Sequence, residues 1–399
     1  MQTANKFSVS RYAPERGPLA KLTARDSVVR RLDWPMLLSA LALSGIGALL
    51  VWSATRNRMG LNQGDPYYFL FRHCLNTGIG VTLMIGTVWL GHRTLRGAVP
   101  VLYGLSLVLV AAVLTPLGAT INGAHAWIVI GGGFSLQPSE FVKITIILVM
   151  AMLLSARVDA GDLEHPDHRT VLRALLLAAL PMGIVMLMPD LGSVMVMVMI
   201  VLGVLLASGA SNRWVFGLLG SGAMGAVGIW QLGVLDEYQI NRFAAFANPD
   251  LDPAGVGYNT NQARIAIGSG GLTGSGLFKG SQTTGQFVPE QQTDFVFTVA
   301  GEELGFLGAG LILVLLGVVL WRACVIARET TELYGTIVAA GIIAWFAFQA
   351  FENIGMTLGI MPVAGLPLPF VSYGGSSMFA VWVAIGLLQS IKVQKPLSA

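Results

Sequence analysis

The sequence is poor in charge. Of its 399 residues only 11% are Asp, Glu, Lys or Arg, while 54% are hydrophobic; an ordinary soluble domain carries roughly 25% charged residues. That deficit excludes a water-soluble enzyme with a polar surface. Cysteine is nearly absent, and Cys74 and Cys324 stand near opposite ends of different apolar tracts, which excludes a disulfide framework. The five histidines are scattered, and no His and Cys cluster has metal-ligand spacing, so no permanent metal site is expected. Net charge is only +3. That is too little to argue for a nucleic-acid partner, and the basic residues read as topology signals instead.

What the chain has in abundance is long apolar runs. Tracts of about 18–22 residues without formal charge recur, the length an α-helix needs to cross a bilayer. They are continuous rather than alternating, as in Leu191–Ser211 and Trp214–Leu235, which sets aside a transmembrane β-barrel. The expected fold class is all-α, a polytopic membrane protein with about ten transmembrane helices. The spans fall near 33–55, 75–92, 97–117, 138–156, 172–188, 190–210, 213–235, 294–323, 333–356 and 371–391. Seventeen Lys or Arg lie in the tails and alternate loops against six in the opposite loops, so both termini are expected in the cytoplasm. Residues 1–31 read as a disordered basic cytoplasmic tail ahead of an uncleaved signal-anchor helix. Residues 32–393 read as a single membrane domain and 394–399 as a cytoplasmic C-terminal tail.

One connection is too long to be ordinary. Asp236–Asp294, 59 residues, falls on the extracytoplasmic side and reads as a large functional loop. Tyr238, Phe243, Phe246, Tyr258, Phe278 and Phe287 give it apolar anchors. Within it, Asn259–Ile267 is expected to be a short helix and the glycine-dense 268–285 to be irregular. No internal repeat of the transporter kind is present.

Ionisable residues in or beside spans are costly, so each is a functional candidate. Glu140 and Lys143 lie three residues apart in Gln137-Pro138-Ser139-Glu140-Phe141-Val142-Lys143. They share a helix face and can pair, which serves a structural role and a functional one equally well. Asp190 follows Pro189 at a turn that starts a helix, where an N-cap is the simpler reading. Asp294 closes the long loop at the mouth of the eighth span, within reach of water and of a lipid-borne substrate; there too an N-cap is the alternative. Glu302 and Glu303 would sit about 12–13.5 Å deeper on a continuous helix and read as structurally paired, for instance with a basic residue of a neighbouring helix. Glu352 lies near the end of the ninth span. Arg264 and Lys279, with Arg242 nearer the loop's start, can bind an anion or simply face water. The run Gly268–Gly276 lacks dinucleotide-binding spacing, because Thr273 stands where a third glycine belongs. Met361–Phe370 contains three prolines and no charge. Ser372 then lies in Val371-Ser372-Tyr373-Gly374-Gly375-Ser376-Ser377 at the start of the last helix, which can hold a phosphate or form a packed re-entrant connection.

Taken together, Gln137-Pro138-Ser139-Glu140 with Lys143, Pro189-Asp190-Leu191-Gly192, Ala266-Ile267-Gly268-Ser269-Gly270-Gly271-Leu272, Thr293-Asp294-Phe295 with Glu302-Glu303-Leu304-Gly305, and Gly365-Leu366-Pro367-Leu368-Pro369-Phe370-Val371-Ser372-Tyr373-Gly374-Gly375-Ser376-Ser377 closely resemble the SEDS proteins (shape, elongation, division and sporulation). The resemblance covers roughly residues 33–393, and the Leu-Pro-Leu-Pro-Phe-Val form is more like the elongation branch than the division branch. It implies a peptidoglycan glycosyltransferase that polymerises lipid II, the undecaprenyl-pyrophosphate-linked precursor, at the outer face of the plasma membrane, beside a class B penicillin-binding protein. The family's essential loop aspartate maps onto Asp294 and its intramembrane pair onto Glu140 and Lys143. The chain departs from the family's usual residues at Gln292, Met188 and Ala126, which weakens any role for those neighbours.

The chemistry agrees with that implication. A sugar hydroxyl attacking an anomeric carbon needs a base, and Asp294 can be that base. Pyrophosphate leaves as a stable anion, so it needs positive charge nearby rather than a second carboxyl acid. Lys143, Arg264 and Lys279 are candidate contacts, with Glu140 orienting Lys143. Asp190 and Ser372 are further candidate substrate-binding residues. A divalent cation such as magnesium or manganese bridging the pyrophosphate stays open as a cofactor. Two rival readings are a lipid II flippase and a non-catalytic scaffold of the cell-wall synthesis complex.

Overall fold

The computed structural model describes residues 28–394 apart from 59, 61, 63, 122–123, 132–133, 189 and 232–255. Ten long helices stand where the ten apolar tracts predict them: α1 Trp34–Thr55, α2 Tyr68–Leu90, α3 His92–Val113, α4 Pro138–Asp159, α5 His168–Met186, α6 Leu191–Ala207, α7 Asn212–Gln231, α9 Val296–Glu329, α10 Leu333–Leu358 and α11 Gly375–Val393. Eight are long and apolar enough to cross a membrane; α6 is apolar but has 17 residues, and α7 is not among the eight. The protein is a multi-pass membrane protein, all-α in its main body.

The large loop contains α8, Val256–Ser269, which includes the helix expected at Asn259–Ile267. Its glycine-dense part is irregular beyond Ser269 except for one helical turn at Ser281–Thr284. The early part of the loop, with Arg242, and residues 1–27 of the expected tail lie outside the described residues; Val28–Arg31, read as the end of that tail, forms a helical turn.

Three features depart from expectation. A three-stranded antiparallel sheet, β1 Gly118–Ile121, β2 Ala124–Gly131 and β3 Phe134–Leu136, joins α3 to α4. Its register sets Ala119 against Trp127 and Ile128 against Leu136. Helix α2 starts seven residues earlier than position 75, so Arg72 and His73 are helical. Finally, α9 contains a π-helical turn at Ala300–Leu304 followed by Gly305 at φ 67°.

The most enclosed helices are α11 and α4, which pack against each other and among α2, α3, α5, α6 and α10. A helix apolar on all sides is a buried one, and in α4 nearly every residue from Val142 to Ala151 is shielded. The two ends of the described chain meet at one end of the bundle. There Asp33, 0% exposed, accepts hydrogen bonds from Arg322 and Lys392, and its amide donates to Gln389 Oε1 at 2.7 Å. The loop, the sheet and the start of α9 gather at the other end, where Ser53 near the end of α1 donates to Glu303 Oε1 at 2.6 Å.

Candidate functional site

A cavity of about 190 Å³ opens at that loop-bearing end. Its walls come from the sheet (Ile121, Trp127), the residue before α4 (Gln137), the start of α6 (Asp190), the approach to α9 (Thr293, Asp294) and the connection between α10 and α11 (Pro367, Tyr373). Two candidate carboxylates, 104 positions apart in the sequence, therefore line one space.

Asp190 caps α6, its Oδ1 accepting from the Ser193 amide at 3.0 Å. Its Oδ2 takes weaker bonds from Gln137 Nε2 at 3.3 Å and Ser139 Oγ at 3.5 Å. The capping reading thus holds, and capping leaves the second oxygen on the cavity side. Asp294 is not an N-cap: Phe295 occupies that position, without a side-chain cap. The half-buried Asp294 instead lies against Gly365, whose φ is 71° and where an added Cβ would meet Asp294 Oδ2 at 3.5 Å. Close packing holds the same connection against α6, since a Cβ on Gly192 would come within 2.6 Å of the Ala364 carbonyl oxygen.

Glu140 and Lys143 form an ion pair of 2.7 Å with side chains 1% and 0% exposed. They are not in the cavity lining but one layer behind it. Lys143 Nζ also donates to Gln349 Oε1 at 3.2 Å and lies 5.0 Å from the Trp345 ring centroid. Gln349 Nε2 in turn donates to the carbonyl of Pro367, a wall residue, at 2.7 Å. Ser372 is likewise beneath the lining: it is buried, and its hydroxyl donates to the Thr293 carbonyl at 2.5 Å and accepts from the Leu368 amide at 2.7 Å. Arg264 and Lys279 are exposed and do not line the cavity.

Glu302 and Glu303 have partners other than the expected basic residue. Glu302 caps the Ser281–Thr284 turn, accepting from the Gln282 amide at 2.7 Å, the Thr283 amide at 2.8 Å and Thr283 Oγ1 at 2.7 Å. Glu303 is held by Ser53 and by the backbone at Phe278 and Gly280. A π turn widens the spacing within a helix, and here adjacent carboxylates both bond to the loop. They fasten the loop to α9.

Sequence reasoning missed Arg72. Its side chain hydrogen-bonds Tyr373, a wall residue, and its guanidinium lies 4.5 Å from the Tyr68 ring centroid. Burial pushes the Tyr373 hydroxyl above its ordinary pKa, and Arg72 opposes that shift. The signal lay in the span boundary, because a helix starting at Tyr68 turns Arg72 from a loop cation into one fixed at a helix end. Trp127 was missed because the sheet was. Among the described residues, no group of three His, Cys, Asp or Glu side chains is placed to hold a metal ion.

A sequence profile described as cell cycle protein, covering FtsW, RodA and SpoVE, matches residues 34–396. The chain is 38% identical over 368 residues to stage V sporulation protein E of Bacillus subtilis, covering 90% of this chain and 96% of the relative. It is 34% identical over 375 residues to the peptidoglycan glycosyltransferase MrdB of Escherichia coli, covering 94% and 96%. Among solved structures it resembles a chain of a peptidoglycan synthase complex, described as coordinating polymerization and crosslinking, with a TM-score of 0.72, 31% identity and coverage of 90% of this chain and 97% of that one.

Proposed function

The chain belongs to the FtsW, RodA and SpoVE family of cell cycle proteins, and on that premise we propose that it polymerises lipid II at the outer face of the plasma membrane with Asp294 as general base. That it is a peptidoglycan glycosyltransferase follows from its relatives; the residue roles are part of the proposal. The observation that carries them is the placement of Asp294 in a cavity at the loop-bearing end of the bundle, away from the end where Asp33 meets Gln389.

In the step proposed, an acceptor sugar hydroxyl attacks the anomeric carbon of the donor. Asp294 takes the hydroxyl proton as the new C–O bond forms, and the bond to pyrophosphate breaks to release undecaprenyl pyrophosphate. A cavity of about 190 Å³ encloses the reacting groups and leaves the glycan and lipid outside. The exposed Arg264 and Lys279 are proposed to meet those outer parts. Lys143, held by Glu140 beneath Pro367, and Arg72 beside Tyr373 supply positive charge nearer the leaving group. Ser372 acts from beneath the wall. Asp190 orients the substrate, and with Asp294 it offers the oxygen donors that a divalent cation shared with pyrophosphate prefers.

The assembly partner is a class B penicillin-binding protein, supported by the related chain found in a synthase complex. Both termini are cytoplasmic, supported by the basic bias of the loops on their side. The Leu-Pro-Leu-Pro-Phe-Val form supports a role in elongation and cell shape.

The test is polymerisation of lipid II by the purified full-length chain with its transpeptidase partner. Asp294→Asn keeps the side-chain size and loses the base, and the rate should fall by about 10²–10⁴. Polymer made at the wild-type rate by well-folded Asp294→Asn would remove the assignment. Transbilayer movement of lipid II without polymer would favour the flippase.

A further inference from the structure

Three consecutive carbonyls leading into α9 are each held by a different residue of α10 or of the connection after it. The Gln292 carbonyl accepts from the Tyr373 amide at 2.8 Å, that of Thr293 from Ser372 Oγ at 2.5 Å, and that of Asp294 from Asn353 Nδ2 at 2.8 Å. Asn353 does more than the other two. The same Nδ2 also donates to the Leu366 carbonyl at 2.7 Å, so one amide group joins Asp294 to the residue after Gly365, the glycine against which the Asp294 carboxylate rests. Asn353 is 0% exposed. Its orientation follows from its partners, since a reversed amide would set an oxygen against two carbonyls. With its main chain fixed, the Asp294 carboxylate keeps only the freedom of its own two side-chain torsions.

We infer that Asn353 is a positioning residue for the Asp294 base, clamping its backbone to the facing cavity wall so that the carboxylate is set before substrate arrives. The inference rests on the reading of Asp294 as base. A displacement of about 1 Å at a reacting group costs about 100-fold in rate, and positioning acts on turnover rather than on substrate affinity.

The experiment measures lipid II polymerisation and thermal melting of the full-length chain with its partner, for wild type, Asn353→Leu, Asn353→Ser and Gln389→Leu. Gln389 is the matched control: also 0% exposed, it bridges two backbone groups of Asp33 at the opposite end of the bundle, with bonds of 2.7 and 3.2 Å. Asn353→Leu is expected to lower kcat about 100-fold with KM within about twofold. Asn353→Ser, able to reach one carbonyl, should lower kcat about tenfold. Gln389→Leu should lower the melting temperature and leave kcat unchanged. The inference is overturned if either Asn353 variant keeps wild-type kcat, or if Gln389→Leu loses kcat as the Asn353 variants do. Asn353→Ser, the smaller change, decides the matter should Asn353→Leu not fold. Inactive wild type would instead overturn the polymerase reading, and the positioning role with it.

Discussion

Removing Lys143 should destabilise the bundle sharply, and removing its partner as well should reverse most of the loss. In Lys143→Met, Glu140 is left 1% exposed without its cation, and its Oε2 already has no partner among the described residues. Breaking a buried pair by deleting one partner costs about 3–5 kcal/mol, whereas apolar replacement of both is often neutral or stabilising. Gln349 stays satisfied in either variant, because its Oε1 also accepts from Trp345 Nε1 at 2.7 Å. Thermal melting of the solubilised full-length protein should therefore show a drop of about 6–10 °C for Lys143→Met, taking about 2 °C per kcal/mol. Glu140→Leu/Lys143→Met should recover more than half of it. On the role proposed for Lys143, polymerisation should stay about tenfold or more below wild type in the double variant, because the cation assigned to the leaving group is still missing. Equal stability of Lys143→Met and wild type, or a double variant no more stable than the single, would refute the energetic argument. A wild-type rate in the double variant would reduce the pair to scaffolding.

Other expectations concern parts of the frame outside that pair. Glu302→Gln removes the charge that receives three short hydrogen bonds from Gln282 and Thr283; at about 1.5–3 kcal/mol for a bond to a charged group, the loop should exchange amide hydrogens faster there while the bundle keeps its protection. Gly192→Ala forces a Cβ to within 2.6 Å of the Ala364 carbonyl oxygen, so polymerisation should fall with little change in expression; an unchanged rate would show that this wall yields freely. At Asp33, burial raises the carboxyl pKa, but hydrogen bonds from Arg322 and Lys392 outweigh it and leave the folded value below the ordinary 3.8. Its stabilisation is therefore fully present above that ordinary value and lost as pH falls from there through the folded one. The melting-temperature gap between wild type and Asp33→Asn should close over that acid range, and a gap independent of pH would contradict the linkage.

The helical frame was legible in the order of residues alone. A bilayer demands a run of some twenty apolar residues per crossing, so length and charge placed ten helices without reference to their neighbours. Local chemistry also marked α4 from Pro138, the Glu140–Lys143 pairing and the Asp190 cap, because partners three residues apart meet on any helix. Everything that depends on distant segments had to wait for packing. Asp190 and Asp294 share a cavity because the α10–α11 connection folds between them. Glu302 and Glu303 bond to the loop because a π turn intervenes, and Asn353 meets Asp294 across 59 positions. The sheet carrying Trp127 leaves no span-length signal in the sequence, because its short strands pair to one another rather than cross anything. Composition and spacing set what a segment can be on its own; which buried donor meets which carbonyl is settled when the helices pack and each polar group must find a partner.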